Sequence, residues 1–105
     1  AADASPRDGM IVDSLGWALY TLGRAEEAVA PMERAAALLP EDAVVNDHLG
    51  DVYWTVGRRL EARFQWRRAL SFDPEPDLAE EIRAKIETGL PAPDADARED
   101  VATDL

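Results

Sequence analysis

Residues Ile11 to Pro40 read IVDSLGWALYTLGRAEEAVAPMERAAALLP, and after a shift of about 34 residues the chain repeats itself: Val45 to Pro74 read VNDHLGDVYWTVGRRLEARFQWRRALSFDP. Leu15-Gly16 falls on Leu49-Gly50, and Gly23-Arg24 on Gly57-Arg58. Ala28 falls on Ala62, Met32 on Trp66, Ala35 on Ala69 and Pro40 on Pro74. Asp8 and Asp42 stand at matching places ahead of each unit. A period of this length is the mark of a helical repeat, in which each unit is one helix pair.

Within each unit the order is Leu-Gly, a bulky residue, Ala, another bulky apolar residue and Pro. It runs Leu15-Gly16, Leu19, Ala28, Met32, Pro40 and then Leu49-Gly50, Tyr53, Ala62, Trp66, Pro74. This order resembles the tetratricopeptide repeat family. Val12 and Asn46 stand where that family often has Trp, and Leu19 and Met32 replace its usual aromatics. All of these except Asn46 remain apolar. The resemblance implies an all-α fold of helix-turn-helix repeats, two complete and one truncated at the N-terminus, in a right-handed solenoid with a C-terminal capping helix. The repeats are expected at about 9–42 and 43–76 and the cap at 77–88, inside a domain of residues 1–90. A Pro-, Ala- and Asp-rich acidic tail, residues 91–105, follows and is expected to be disordered or loosely docked.

Composition is compatible with that picture. A chain of 105 residues is one small domain, and 47% hydrophobic content is globular. No apolar run approaches the roughly 18 residues a membrane-spanning helix needs, so direct membrane insertion is not expected. Cysteine is absent, which removes disulfides and thiolate chemistry. A net charge of −11 argues against nucleic acid and anionic membrane as partners. Every basic residue except Lys85 is Arg, a bias found in GC-rich bacterial genomes. The opening AADASP aligns with the last residues of a preceding unit, Pro6 matching Pro40. The expectation is therefore a C-terminal piece of a longer repeat protein, with any targeting signal upstream.

Helix by helix, Met10, Ile11, Val12, Leu15, Ala18, Leu19 and Leu22 recur with a helical period. Asp8 is the expected N-cap and Gly23 the expected stop. A second helix is expected over 25–39, with Pro31 kinking it more readily than breaking it. Asp42 caps a third helix to Val56, Gly57 turns the chain, and a fourth runs over 59–72 with Ala62, Trp66, Ala69 and Leu70 inward. A fifth, over 77–88, carries the stripe Leu78, Ile82 and Ile86, and Leu90 beyond Gly89 can fold back on it.

Catalytic readings find no support. His48, the single histidine, lies between Asp47 and Asp51, but successive helix positions diverge by about 100°, so these do not form a metal set. Ser14 has no identifiable base, and Gly16, Gly23, Gly50 and Gly57 serve packing and turns, not phosphate binding. The expectation is no enzyme, no metal and no cofactor. Arg59, Arg63 and Arg67 share a helix face. They read either as an anion site or, more simply, as a solvated face paired with Glu80, Glu81 or Glu87.

Binding is what remains. The resemblance implies that the first helix of each pair lines a concave groove. On the first helix Asp13, Trp17 and Tyr20 share one face, and about 34 residues later Asp47, Asp51 and Trp54 share the same face, with His48 at its edge. These seven are the candidate peptide-binding residues. The competing reading is that Trp17 and Trp54 bury against neighbouring repeats. The chaperone-tail-binding variety of the family uses Lys, Arg and Asn on this face, and the acids here disfavour it. The functional expectation is a protein–protein interaction module for an apolar or basic peptide segment. Alternatives are an adaptor or scaffold for a bacterial envelope enzyme such as a protease, or a purely structural end of a longer solenoid. The loose likeness to long bacterial envelope proteins favours the periplasm or envelope over the cytoplasm. Loss of a preceding unit would expose Met10, Ile11, Leu15 or Leu38 and lead to homo-oligomers.

Overall fold

A computed structural model of the chain describes residues 6–91; the expectations for the opening residues and for the acidic tail lie outside them. The described residues form five α-helices and no strand: α1 (Pro6–Thr21), α2 (Ala25–Leu38), α3 (Ala43–Thr55), α4 (Arg59–Ser71) and α5 (Pro76–Thr88). None is long and apolar enough to cross a membrane.

Local chemistry sets the ends. Among the described residues α1 runs from Pro6, whose fixed φ suits the first turn of a helix. Asp8 therefore sits inside the first turn and is not the N-cap the sequence suggested; there its carboxylate complements the helix dipole. Asp42 does cap α3, its side chain accepting from the Val45 amide at 3.0 Å. α1 and α3 stop alike. Gly23 and Gly57 have φ of 81° and 93°. The amides just beyond, of Arg24 and Arg58, donate back to Leu19 O and Tyr53 O at 2.9 and 2.8 Å. This is the Schellman closure, which needs a residue without Cβ at the reversal. α2 continues through Pro31 as one helix.

α1 and α2 run antiparallel. A Cβ on Gly9 would meet Leu39, and one on Gly16 would lie 2.5 Å from Met32 Sδ, so the start of α1 meets the end of α2. α3 and α4 repeat the arrangement, with Gly50 seated against the Trp66 indole. Each pair thus closes around a glycine of its first helix and the bulky residue at the matching place in its second. α3 also packs on α2, and α5 on α4. The core is one cluster of Ala28, Met32, Leu49, Val52, Tyr53, Ala62, Trp66, Ala69 and Ile82. Leu78, Ile86 and Leu90 pack onto it from the α5 end, as the stripe foretold.

Asn46, the polar exception in the repeat pattern, is 1% exposed. Its amide donates to Pro40 O and Asp42 O at 3.1 and 2.8 Å, tying down the loop between the pairs. Pro40 O also accepts from Arg68 Nη2 and Asp42 O from the Asn46 backbone N–H, so the side-chain amide adds a second bond to each and satisfies its own buried donors.

Candidate functional site

The seven candidate residues divide into two groups. Trp17, Tyr20, His48 and Trp54 are half-buried, while Asp13, Asp47 and Asp51 are buried at 5, 5 and 7% exposure. The expectation that Asp13, Trp17, Tyr20, Asp47, Asp51 and Trp54 stand partly exposed along one groove therefore fails for the three acids. The reason is tertiary: each acid is taken by a side chain of another helix, Asp13 by His48 of α3 and Asp47 and Asp51 by Lys85 of α5.

Asp13 on α1 lies 3.0 Å from Nδ1 of His48 on α3. A carboxylate accepts, which places the ring proton on Nδ1. The His48 ring stacks under Trp17 with centroids 3.9 Å apart and planes 17° from parallel. Tyr20 also stacks on Trp17, with centroids 4.7 Å apart. Thr55 donates to the Tyr20 hydroxyl at 3.3 Å. The result is an aromatic row across the α1–α3 junction, fixed from below by Asp13. Burial raises the Tyr20 phenol above its usual range and keeps it neutral.

Asp47 and Asp51 lie one turn apart on α3 and both accept from Lys85 on α5, at 2.7 and 2.9 Å. The Trp66 indole N–H donates to Asp51 Oδ1 at 3.0 Å. Burial, aided by the nearby Asp47, raises the Asp51 carboxyl. Burial works against the charge on Lys85, yet the Asp51 and Asp47 carboxylates outweigh it and hold the ammonium above its usual range. Two buried carboxylates side by side would repel strongly; one lysine between them makes the arrangement tenable. Every buried side-chain nitrogen and oxygen among the described residues has a partner.

Trp54 is half-buried and packed on two sides. It packs on Trp66 at 5.6 Å between centroids, and Gly89 lies against its ring so closely that a Cβ there would overlap it. Arg59 and Arg63 stand over its face at 4.6 and 4.9 Å, and Arg63 Nε donates to Ile86 O at 2.9 Å. Two of the three arginines of that helix face thus engage an indole and a carbonyl instead of the expected glutamates.

Sequence reasoning passed over Lys85, singled out only by composition. The repeat register itself points to it: a further step of about 34 residues carries Trp17 to Asp51 and Asp51 to Lys85. α5 is a third copy of the first-helix position, and its lysine reaches back to the acids of the second.

Comparison of the chain with family models, with curated proteins and with solved structures returned no match. The functional reading therefore rests on the geometry.

Proposed function

We propose that the chain is a protein-interaction module of the tetratricopeptide repeat kind, without catalysis, which holds a partner's peptide segment on the face shared by α1 and α3. The observation that carries this is the aromatic row of Tyr20, Trp17 and His48, half-buried and held in place by Asp13. Flat rings fixed by a buried support give large contact area with little entropy left to lose. Such a row accepts an apolar side chain, or the planar guanidinium of an Arg stacked on Trp17. With Asp13, Asp47 and Asp51 occupied internally, discrimination against acidic segments comes from the overall charge of −11 and not from acids in the groove.

A selection of displayed peptides against the chain tests this, with amide and indole chemical shifts as the readout. Selected peptides should shift Trp17, Tyr20 and His48 and lose about tenfold or more in affinity to Trp17→Ala, as an anchor residue predicts. Selected peptides that bind Trp17→Ala as well as wild type would overturn it.

A second reading, that the C-terminal part serves to close a helical array, has its own support. α5 inserts Lys85 inward while Glu80, Glu81, Arg83 and Glu87 face solvent. A polar outer face on a last helix is what a terminal unit requires. On this reading the α4–α5 half binds nothing and the α1–α3 junction binds alone.

A further inference from the structure

Arg59, Arg63 and Arg67 follow one another at spacing four on α4 and share one face. Two of them are anchored. The Arg59 and Arg63 guanidiniums stand 4.6 and 4.9 Å from the centre of the same Trp54 ring, and Arg63 Nε donates to Ile86 O at 2.9 Å. An indole face and a carbonyl hold these groups in place without cancelling their charge.

No carboxylate answers that charge. Among the described residues none of the three arginines takes part in an ion pair, and neither do Glu80, Glu81 and Glu87 of α5. The chain shows elsewhere how it neutralises a guanidinium: Arg24 and Arg58 each donate from two nitrogens to a glutamate three residues on. Three residues on from Arg59, Arg63 and Arg67 stand Ala62, Trp66 and Leu70, so the helix supplies no such partner. Arg59 and Arg67 make no hydrogen bond among the described residues, and the two terminal nitrogens of Arg63 make none either. The face thus carries a row of unused, charged donors, two of them held against one ring.

We infer that this row binds an extended acidic segment of a partner protein, with carboxylates on alternate residues. Spacing argues for it. Four residues of helix rise about 6 Å, and alternate side chains of an extended segment recur on one side about every 6.6 Å. Three acids at alternate places therefore meet the three arginines in register, each in the two-pronged pairing that guanidinium and carboxylate favour. Charge argues for it as well. Residues 58–68 carry five arginines and one acid, Glu61. At contact distance that local excess outweighs the net −11, most of which salt screens beyond about 10 Å. The same −11 disfavours a polynucleotide, whose charge extends well past the row. The chain's own acids among residues 92–105 do not supply the pattern, because Arg98 takes the third alternate place after Asp94 and Asp96. The row shares no residue with Tyr20, Trp17 and His48, so the inference is independent of the peptide binding proposed there. It opposes the reading in which the α4–α5 half binds nothing.

Titration of the whole chain with a synthetic peptide carrying Glu at three alternate positions tests it, read by the chemical shifts of the Trp54 indole and the arginine Nε–H groups. The Arg59, Arg63 and Arg67 signals should move together, and added salt should weaken the binding. Arg59→Gln and Arg67→Gln, both at exposed positions, should each cost about tenfold in affinity. Arg34→Gln, exposed on α2 and likewise outside any ion pair among the described residues, should cost nothing. An isomeric peptide with its three Glu adjacent should bind more weakly, because it cannot keep register with the row. No shift at millimolar peptide, equal binding of the two peptides, an unchanged affinity in Arg67→Gln, or tighter binding of a single-stranded oligonucleotide would overturn the inference. So would movement of the Arg59 and Arg63 signals when Asp94, Asp96, Glu99 and Asp100 are changed to their amides with no peptide present, since the chain would then fill the row itself.

Discussion

The Lys85 ammonium lies 2.9 Å from Asp51 Oδ1, a contact that joins α5 to the face of α3. Asp51 in turn accepts the Trp66 N–H, so the ion pair, the core indole and α5 form one connected unit. Its energetics follow from burial: Lys85 and Asp51 side chains are 14 and 10% exposed.

Lys85→Met should destabilise the fold by about 3–5 kcal/mol, since it leaves two carboxylates buried and unpaired. Changing Asp47 and Asp51 to Asn in the same chain should restore a large part of that loss. Urea denaturation of the single and triple variants measures both. Equal stability of the two variants would mean the network is not coupled.

Alkaline pH should release the same contact. The folded pKa of Lys85 lies above the ordinary 10.5, because the Asp51 and Asp47 carboxylates outweigh burial. A raised value means that the stabilisation is complete below the unfolded pKa and is lost as pH rises through the folded one. The stability gap between wild type and Lys85→Met should thus be constant near neutrality and narrow above about pH 10.5. Tyr53, raised by burial and by its bond to Glu33, loses stability in the same direction in both proteins and cancels in the comparison.

The two glycine contacts should respond differently to a methyl group. Gly50→Ala drives a Cβ into the Trp66 indole, which is rigid and hydrogen-bonded, at a cost of roughly 1–3 kcal/mol. Gly16→Ala meets the flexible end of Met32, which can turn aside, and should cost clearly less. Thermal melts of both variants give the order directly.

Tryptophan truncations should fall in a series. Trp66, fully buried, should lose about 3–5 kcal/mol on change to Ala. Trp54, wedged between Trp66 and Gly89, should lose an intermediate amount, and Trp17 least, about 1–2 kcal/mol. Peptide affinity should show the reverse emphasis, with Trp17 first. A Trp17→Ala variant as unstable as Trp66→Ala would make that ring part of the core and remove the aromatic row as a binding surface.

The sequence by itself determined the helices and their pairing. Hydrophobic period, Asp42, Gly23, Gly57 and the step of about 34 residues act within a few turns of chain, where residue type and spacing decide the outcome. It also brought Asp13, Trp17, Tyr20, Asp47, Asp51 and Trp54 to one side of their helices, because a face is a matter of spacing alone. Whether a residue on that side meets solvent depends on what the next helix carries across the gap. Only the tertiary structure decided this: His48 reaches Asp13, Lys85 reaches Asp47 and Asp51, and Gly89 covers Trp54. Opposite charges and rings separated by a whole repeat attract only once packing has removed the water between them, and that is why the acids left the surface and the aromatic row kept part of it.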